Sequence, residues 1–148
     1  MKIYLDSSAI VKRYVLEEGT EKVEDAYFEV LNGAATLHFS VWNVGEVLGA
    51  FDAYSRRKWL DVEDYKAVRE SFIAETARLI KLGIAKVVPV RSKLLAQSWF
   101  LVEKYHIYQA DALQIVSAKD IGTDQLLSGD QRLVEASKKE ELNATYLG

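Results

Sequence analysis

Four acidic residues stand where segments of different character meet. Asp6 closes the apolar run KIYL, Glu46 lies inside VWNVGEVLGAF, Asp111 opens the segment DALQIVSA, and Asp130 follows QLLSG. Hydroxyl side chains accompany the first and the last: Ser7 and Ser8 follow Asp6, and Ser128 precedes Asp130 by two residues. Carboxylates gathered in one pocket repel unless cations neutralise them, and all-oxygen donor sets suit hard ions such as magnesium or manganese rather than zinc. Such ions lower the pKa of a bound water and offset the charge of a phosphodiester, so phosphodiester hydrolysis is the leading chemistry expected.

Each acid also has a simpler explanation. Asp6, Asp111 and Asp130 all stand where helix N-termini are expected, and capping or dipole stabilisation alone would account for any one of them. Glu46 interrupts an apolar helical segment, which predicts a buried carboxylate needing a metal, a lysine or a backbone partner. Rival catalytic groups are scarce. There is no cysteine to serve as a thiol nucleophile, and the two histidines, His38 and His106, lack metal-ligand spacing. Neither a GxxxxGK[ST] loop nor a GxGxxG loop occurs.

The elements that must position these acids are legible as alternating patterns. Five short runs rich in β-branched and apolar residues, KIYLD, ATLHFS, KVVPV, DQLLS and ATYL, are separated by longer segments of helical period. That alternation predicts an α/β domain with a mainly parallel sheet. Two helices are expected between the first two strands. A long helical stretch from Val41 to Leu82, broken near Leu60 and Asp61, is expected to form a helical hairpin with Asp61 as a cap. Its second arm carries an apolar stripe of Val62, Tyr65, Val68, Phe72, Thr76 and Leu79, covered either by the core or by a partner, with Trp42, Phe51 and Trp59 suited to an interface. The single proline, Pro89, predicts that KVVPV ends there or lies at a sheet edge. In a parallel sheet, ligands bind beyond the carboxyl ends of the strands, so all four acids are expected on one edge.

Composition sets the outer limits. The 148 residues suit a single domain spanning 1–148, and a formal net charge of -3 gives no global attraction to nucleic acid. Local basic clusters remain, Lys12 with Arg13 and Arg56 with Arg57 and Lys58 among them. Without cysteines, a leader-like segment or a long apolar run, a cytoplasmic protein with no membrane association is the expectation.

Taken in order, IYLDSSAIVKRY, SVWNVGEV, YQADALQIVSA and LLSGDQRLVEA resemble the PIN domain family, small metal-dependent ribonucleases that include the VapC toxins of toxin–antitoxin pairs. The resemblance spans the chain. It implies a three-layer α/β/α sandwich around a mainly parallel sheet of about five strands, with the helical hairpin added. It also implies that Asp6, Glu46, Asp111 and Asp130 form the catalytic centre holding Mg2+ or Mn2+, with Asp6 and Asp111 as direct ligands. Ser7, Ser8 and Ser128 would support that centre, Ser128 standing where the family often has threonine. The implied activity is endonucleolytic hydrolysis of RNA by a toxin of this kind, with a cognate antitoxin protein and a homodimeric state. A housekeeping PIN nuclease and a non-catalytic binding module remain the alternatives. Arg13 and Arg56 are candidates for positioning the RNA backbone, and the hairpin is the candidate antitoxin surface.

Overall fold

The structure, a computed structural model, describes residues 1–148. Five strands, β1 (Lys2–Leu5), β2 (Thr36–Ser40), β3 (Ala85–Val88), β4 (Gln125–Ser128) and β5 (Ala144–Tyr146), form one sheet in the order β3-β2-β1-β4-β5. Every neighbouring pair is parallel. Parallel neighbours require crossovers, and seven helices supply them: α1 (Ser7–Tyr14), α2 (Thr20–Leu31), α3 (Val41–Arg56), α4 (Val62–Lys81), α5 (Ser92–Tyr105), α6 (Gln109–Asp120) and α7 (Gln131–Lys139).

Both faces of the sheet are covered, which is why its strands read as nearly continuous apolar runs. Alternation along β1 sends Ile3 and Leu5 to one face and Tyr4 to the other. The first face packs on α1 to α4 through Ala9, Val23, Val47, Phe51 and Phe72. The second packs on α5 to α7 through Leu101, Leu113, Ile115 and Leu133. The expected α/β/α sandwich is the observed one.

The hairpin forms as expected, with Asp61 accepting from the Asp64 N–H at 2.7 Å to cap α4. Phe72 and Leu79 of its stripe are buried in the core, while Val62 is 64% exposed. Phe51 is fully buried and packs edge-on against Phe72 and Tyr14, so it belongs to the core and not to an interface. Trp42 and Trp59 remain exposed. Strand β3 is an edge strand and stops at Val88, one residue before Pro89, whose ring cannot donate to a ladder. No helix is long and apolar enough to cross a membrane.

The chain leaves β1 toward β2 on one side and reaches β4 on the other, so the direction of strand succession reverses between β1 and β4. Such a switch point opens a crevice at the carboxyl ends of the strands. Asp6 and Ser128 stand at that crevice.

Candidate active site

Asp6 follows the last residue of β1 and begins α1. Its Oδ1 accepts from the Ala9 N–H at 2.9 Å, a helix cap, and from the Ser8 hydroxyl at 2.7 Å. Its Oδ2 accepts from the Ser128 hydroxyl at 2.6 Å. The capping reading is therefore fulfilled, and Oδ2 is held from across the β1–β4 seam. Burial pushes the Asp6 carboxyl up, the three donors oppose that shift, and the charge of Asp130 adds to it.

Ser128 reaches Asp6 because Leu127 pairs with Leu5 in the parallel register, which brings the next residue of each strand side by side. The same hydroxyl accepts from the Asp130 N–H at 2.9 Å, and Ser8 accepts from the Gly129 N–H at 2.8 Å. A Cβ at Gly129 would lie 2.9 Å from Lys12 Cε and 3.3 Å from the Ser8 hydroxyl, so a side chain there would displace the end of Lys12. Asp130 Oδ1 caps α7 by accepting from the Arg132 and Leu133 N–H groups at 2.9 and 3.3 Å, which leaves Oδ2 free of internal partners.

Glu46 lies in the second turn of α3. The apolar sequence around it predicts burial, but the side chain is exposed, because α3 turns that face outward over the carboxyl edge of the sheet. Its partner is neither a lysine nor the backbone. Ser7 donates to Glu46 Oε1 at 2.6 Å, and Asn43 Nδ2 donates to Ser7 at 2.8 Å. Asn43 is fully buried and its Oδ1 accepts from the Ser40 N–H at 2.8 Å, closing a capping box at the start of α3. Sequence reasoning missed this residue, although the S-x-x-N spacing of Ser40 and Asn43 is the signal that could have found it.

Asp111 is the third residue of α6, and no hydrogen bond holds its carboxylate; the cap position belongs to Tyr108, whose side chain makes no capping bond. The capping explanation fails here. The carboxyl is pushed up to about 6, first by burial and then by the charges of Asp130, Asp6 and Glu46, with Arg132 opposing. All three other acids thus act on Asp111, and the four predicted residues share one electrostatic environment. Tyr4 fixes the spacing from behind: its hydroxyl donates to Gln114 Oε1 at 2.7 Å, tying β1 just before Asp6 to α6 one turn beyond Asp111.

Other expectations change. Arg13 is bound bidentately to Glu75, at 3.0 and 2.9 Å, and stacks 4.6 Å from the Tyr27 ring, so it braces α1 against α4 and is not free for RNA. Arg56 pairs with Asp52 on an exposed helix face at 2.9 Å, ten residues and roughly 15 Å along α3 from Glu46. Arg132 was overlooked; it is the cation felt by Asp111. His38 bonds Thr36 through Nε2 at 2.8 Å, with its pKa lowered to about 4 first by burial, and is structural. Asp124 accepts from the Lys2 N–H at 2.7 Å at the opposite end of the sheet.

The donor set fits a hard divalent ion in chemistry. It is composed of carboxylate and hydroxyl oxygens, and the Asp111 carboxyl is raised first by burial and then by like charges that a cation would neutralise. No three acidic or histidine side chains stand close enough together to form a metal cage.

Comparison with known proteins agrees with this architecture. A VapC toxin of Mycobacterium tuberculosis, described as cleaving the sarcin–ricin loop, superposes with a TM-score of 0.61 at 15% identity, covering 90% of this chain and 94% of that one. The VapBC2 complex of Rickettsia felis, bound to a promoter DNA fragment, gives 0.64 at 12% identity and covers all of both chains. The FitAB complex bound to a DNA fragment gives 0.67 at 16% identity, covering 97% and 94%. These likenesses show a shared fold. Comparison with curated protein sequences finds no match. The sequence model of the PIN domain matches residues 3–139, and the chain therefore belongs to the PIN domain family.

Proposed function

We propose that this protein is a metal-dependent endoribonuclease, the toxin of a toxin–antitoxin pair. The observation that carries the reading is the switch-point crevice, where Ser128 bonds both Asp6, at 2.6 Å, and the Asp130 N–H, at 2.9 Å, and where burial and then the charges of Asp130, Asp6 and Glu46 raise the Asp111 carboxyl. Mutually repelling carboxylates are costly to keep together unless a cation answers them. The solved toxin and toxin–antitoxin structures with the same fold support the toxin assignment and an antitoxin partner.

In this mechanism Asp6 and Asp111 would hold Mg2+ or Mn2+, with Asp130 and Glu46 assisting. The ion, when bound, would lower the pKa of a water and offset charge on the phosphodiester. The chain's own residues set the geometry. Ser8 and Ser128 fix the Asp6 carboxylate by occupying both its oxygens, and Asn43 fixes Ser7, which fixes Glu46. Asp111, unbonded within the chain, is the carboxylate able to reorient toward a ligand. Water attacks phosphorus, the P–O3′ bond breaks, and the leaving oxygen takes up a proton, giving a 3′-hydroxyl and a 5′-phosphate.

The protein acts in the cytoplasm as a homodimer in this reading, with the exposed hairpin residues Trp42 and Trp59 available to the antitoxin. The test is cleavage of a structured RNA with and without Mg2+ or Mn2+. Activity should require the ion and vanish in the Asp6→Asn, Asp111→Asn double variant; cleavage surviving in that variant overturns the assignment.

A further inference from the structure

Beside the acidic centre lies a second, oppositely charged concavity. It has a volume of about 200 Å³ and is lined by Lys104, Tyr105, His106, Arg132, Glu135 and Lys139. One wall is set by the start of α7, because Arg132, the second residue of that helix, has its N–H bonded to Asp130 Oδ1. Arg132 Nη2 donates to the His106 carbonyl at 2.7 Å, which joins the α7 start to the turn leading into Asp111. Arg132 thus ties one wall of the cavity to the helix that Asp130 caps and to the turn that leads into the helix of Asp111.

The charges in it are unequally committed. Lys104 is neutralised by Glu140 at 3.0 Å, and Glu135 accepts from Gln131 at 3.2 Å. Arg132 and Lys139 form no ion pair within the chain. Seven residues apart on α7, they lie on one face with a separation of roughly 10 Å along the helix. Lys139 rests 5.9 Å from the Tyr105 ring, which holds its ammonium at the cavity. Two residues beyond His106, at the start of α6 and three residues before Asp111, Tyr108 is 78% exposed, with no internal partner to explain an aromatic ring in water. A chain with net charge -3 thus presents two cations without ion pairs on the helix that Asp130 caps, and a bare ring three residues before Asp111.

We propose that the Arg132–Lys139 face of α7 is the track on which a single-stranded RNA backbone lies as it enters the acidic centre, with Tyr108 stacking on a base at the entrance. Backbone phosphates seat on the guanidinium and the ammonium, and the planar fork of Arg132, with one N–H on His106, keeps further donors for phosphate. Aromatic stacking on an unpaired base needs no sequence match. The inference rests on the ribonuclease reading above and assigns the substrate path that reading leaves open.

The experiment measures binding of a fluorescent single-stranded oligoribonucleotide in EDTA, where cleavage is silent, across a salt series. The Arg132→Gln, Lys139→Gln double variant should bind about tenfold more weakly, and its slope of log Kd against log salt should fall by about 1.4, the release expected for two phosphates on a single strand. Lys139→Gln alone, which breaks no internal hydrogen bond, should lower the slope by about 0.7. Tyr108→Ala should weaken binding with the slope unchanged. A control of equal charge loss on the exposed face of α4, Lys66→Gln with Arg69→Gln, should leave the slope at the wild-type value. If wild type cleaves RNA with Mn2+ yet the Lys139→Gln and double variants keep its slope, this track is wrong and the nuclease reading stands. If wild type neither binds nor cleaves RNA, both fall together.

Discussion

Ser128 joins two acids across the seam between β1 and β4: its hydroxyl donates to Asp6 Oδ2 at 2.6 Å and accepts from the Asp130 N–H at 2.9 Å. The residue is fully buried, so no water can replace it. Ser128→Ala should lower RNA cleavage by about 10- to 100-fold, as loss of a partner that orients a ligand does. Its cost in stability should be about 1–3 kcal/mol, from a buried carboxylate oxygen left without a donor. Ser128→Thr keeps the hydroxyl and should retain most activity. Cleavage rates and urea denaturation of the two variants check this, and equal losses of activity in both would contradict it.

Asp111 should make the metal-free protein lose stability as pH rises. Its carboxyl titrates at about 6 in the fold, against roughly 3.9 in an unfolded chain, so the fold prefers the protonated form. That contribution is fully present below about pH 4 and is lost as pH climbs through 6. Because the group is only partly buried, solvent screening reduces the effect to roughly 1 kcal/mol. Asp111→Asn lacks the titration and should be more stable than wild type at pH 7 in EDTA by about that amount, while losing activity. Urea melts at pH 4 and pH 7 give the comparison; a variant no more stable at pH 7 than wild type would refute the claim that burial and neighbouring charges disfavour this carboxylate.

Divalent metal should reverse that penalty. Thermal unfolding of wild type should move upward with Mn2+, equivalent to about 2.7 kcal/mol when the ion is at one hundred times its Kd. Asp6→Asn and Asp111→Asn should each blunt the shift. A shift of wild-type size in both variants would place the ion elsewhere.

The Arg13–Glu75 pair should matter for stability and not for RNA. Burial raises the Glu75 carboxyl, but the hydrogen bonds from Arg13 and Tyr14 outweigh it and hold the group below its ordinary range. Removing one partner of such a half-buried pair should cost about 2–4 kcal/mol. Glu75→Ala and Arg13→Ala should therefore both lower the midpoint of urea unfolding, and the fraction that stays folded should bind the oligoribonucleotide with unchanged salt dependence.

Much of this centre was legible because local rules and global topology agree. Asp6 at the end of KIYL and Asp130 after QLLSG are marked by strand-to-helix transitions, and both do cap their helices. Glu46 was legible as a residue but not in its setting. Which face of α3 turns outward depends on packing against α1 and α4, and an apolar stretch does not reveal it. Arg13 and Arg56 looked like free cations for the same reason: their partners, Glu75 and Asp52, are assigned by helix placement and rotamer, and Glu75 lies 62 residues away. Arg132 went unnoticed because nothing local distinguishes it from any lysine or arginine on a helix surface.

The amino-acid sequence by itself determined the strands, the helices and the parallel order of the layers, since periodicity, caps and the lone Pro89 are local and each points to the same α/β chain. Tertiary structure alone decided which oxygen meets which donor. The pairing of Leu5 with Leu127 brings Ser128 to Asp6, and the docking of α6 through Tyr4 and Gln114 brings Asp111 under the charges of three distant acids. Those relations are non-local: they depend on register and on side-chain burial, and both exist only once the sheet has assembled between its two layers of helices.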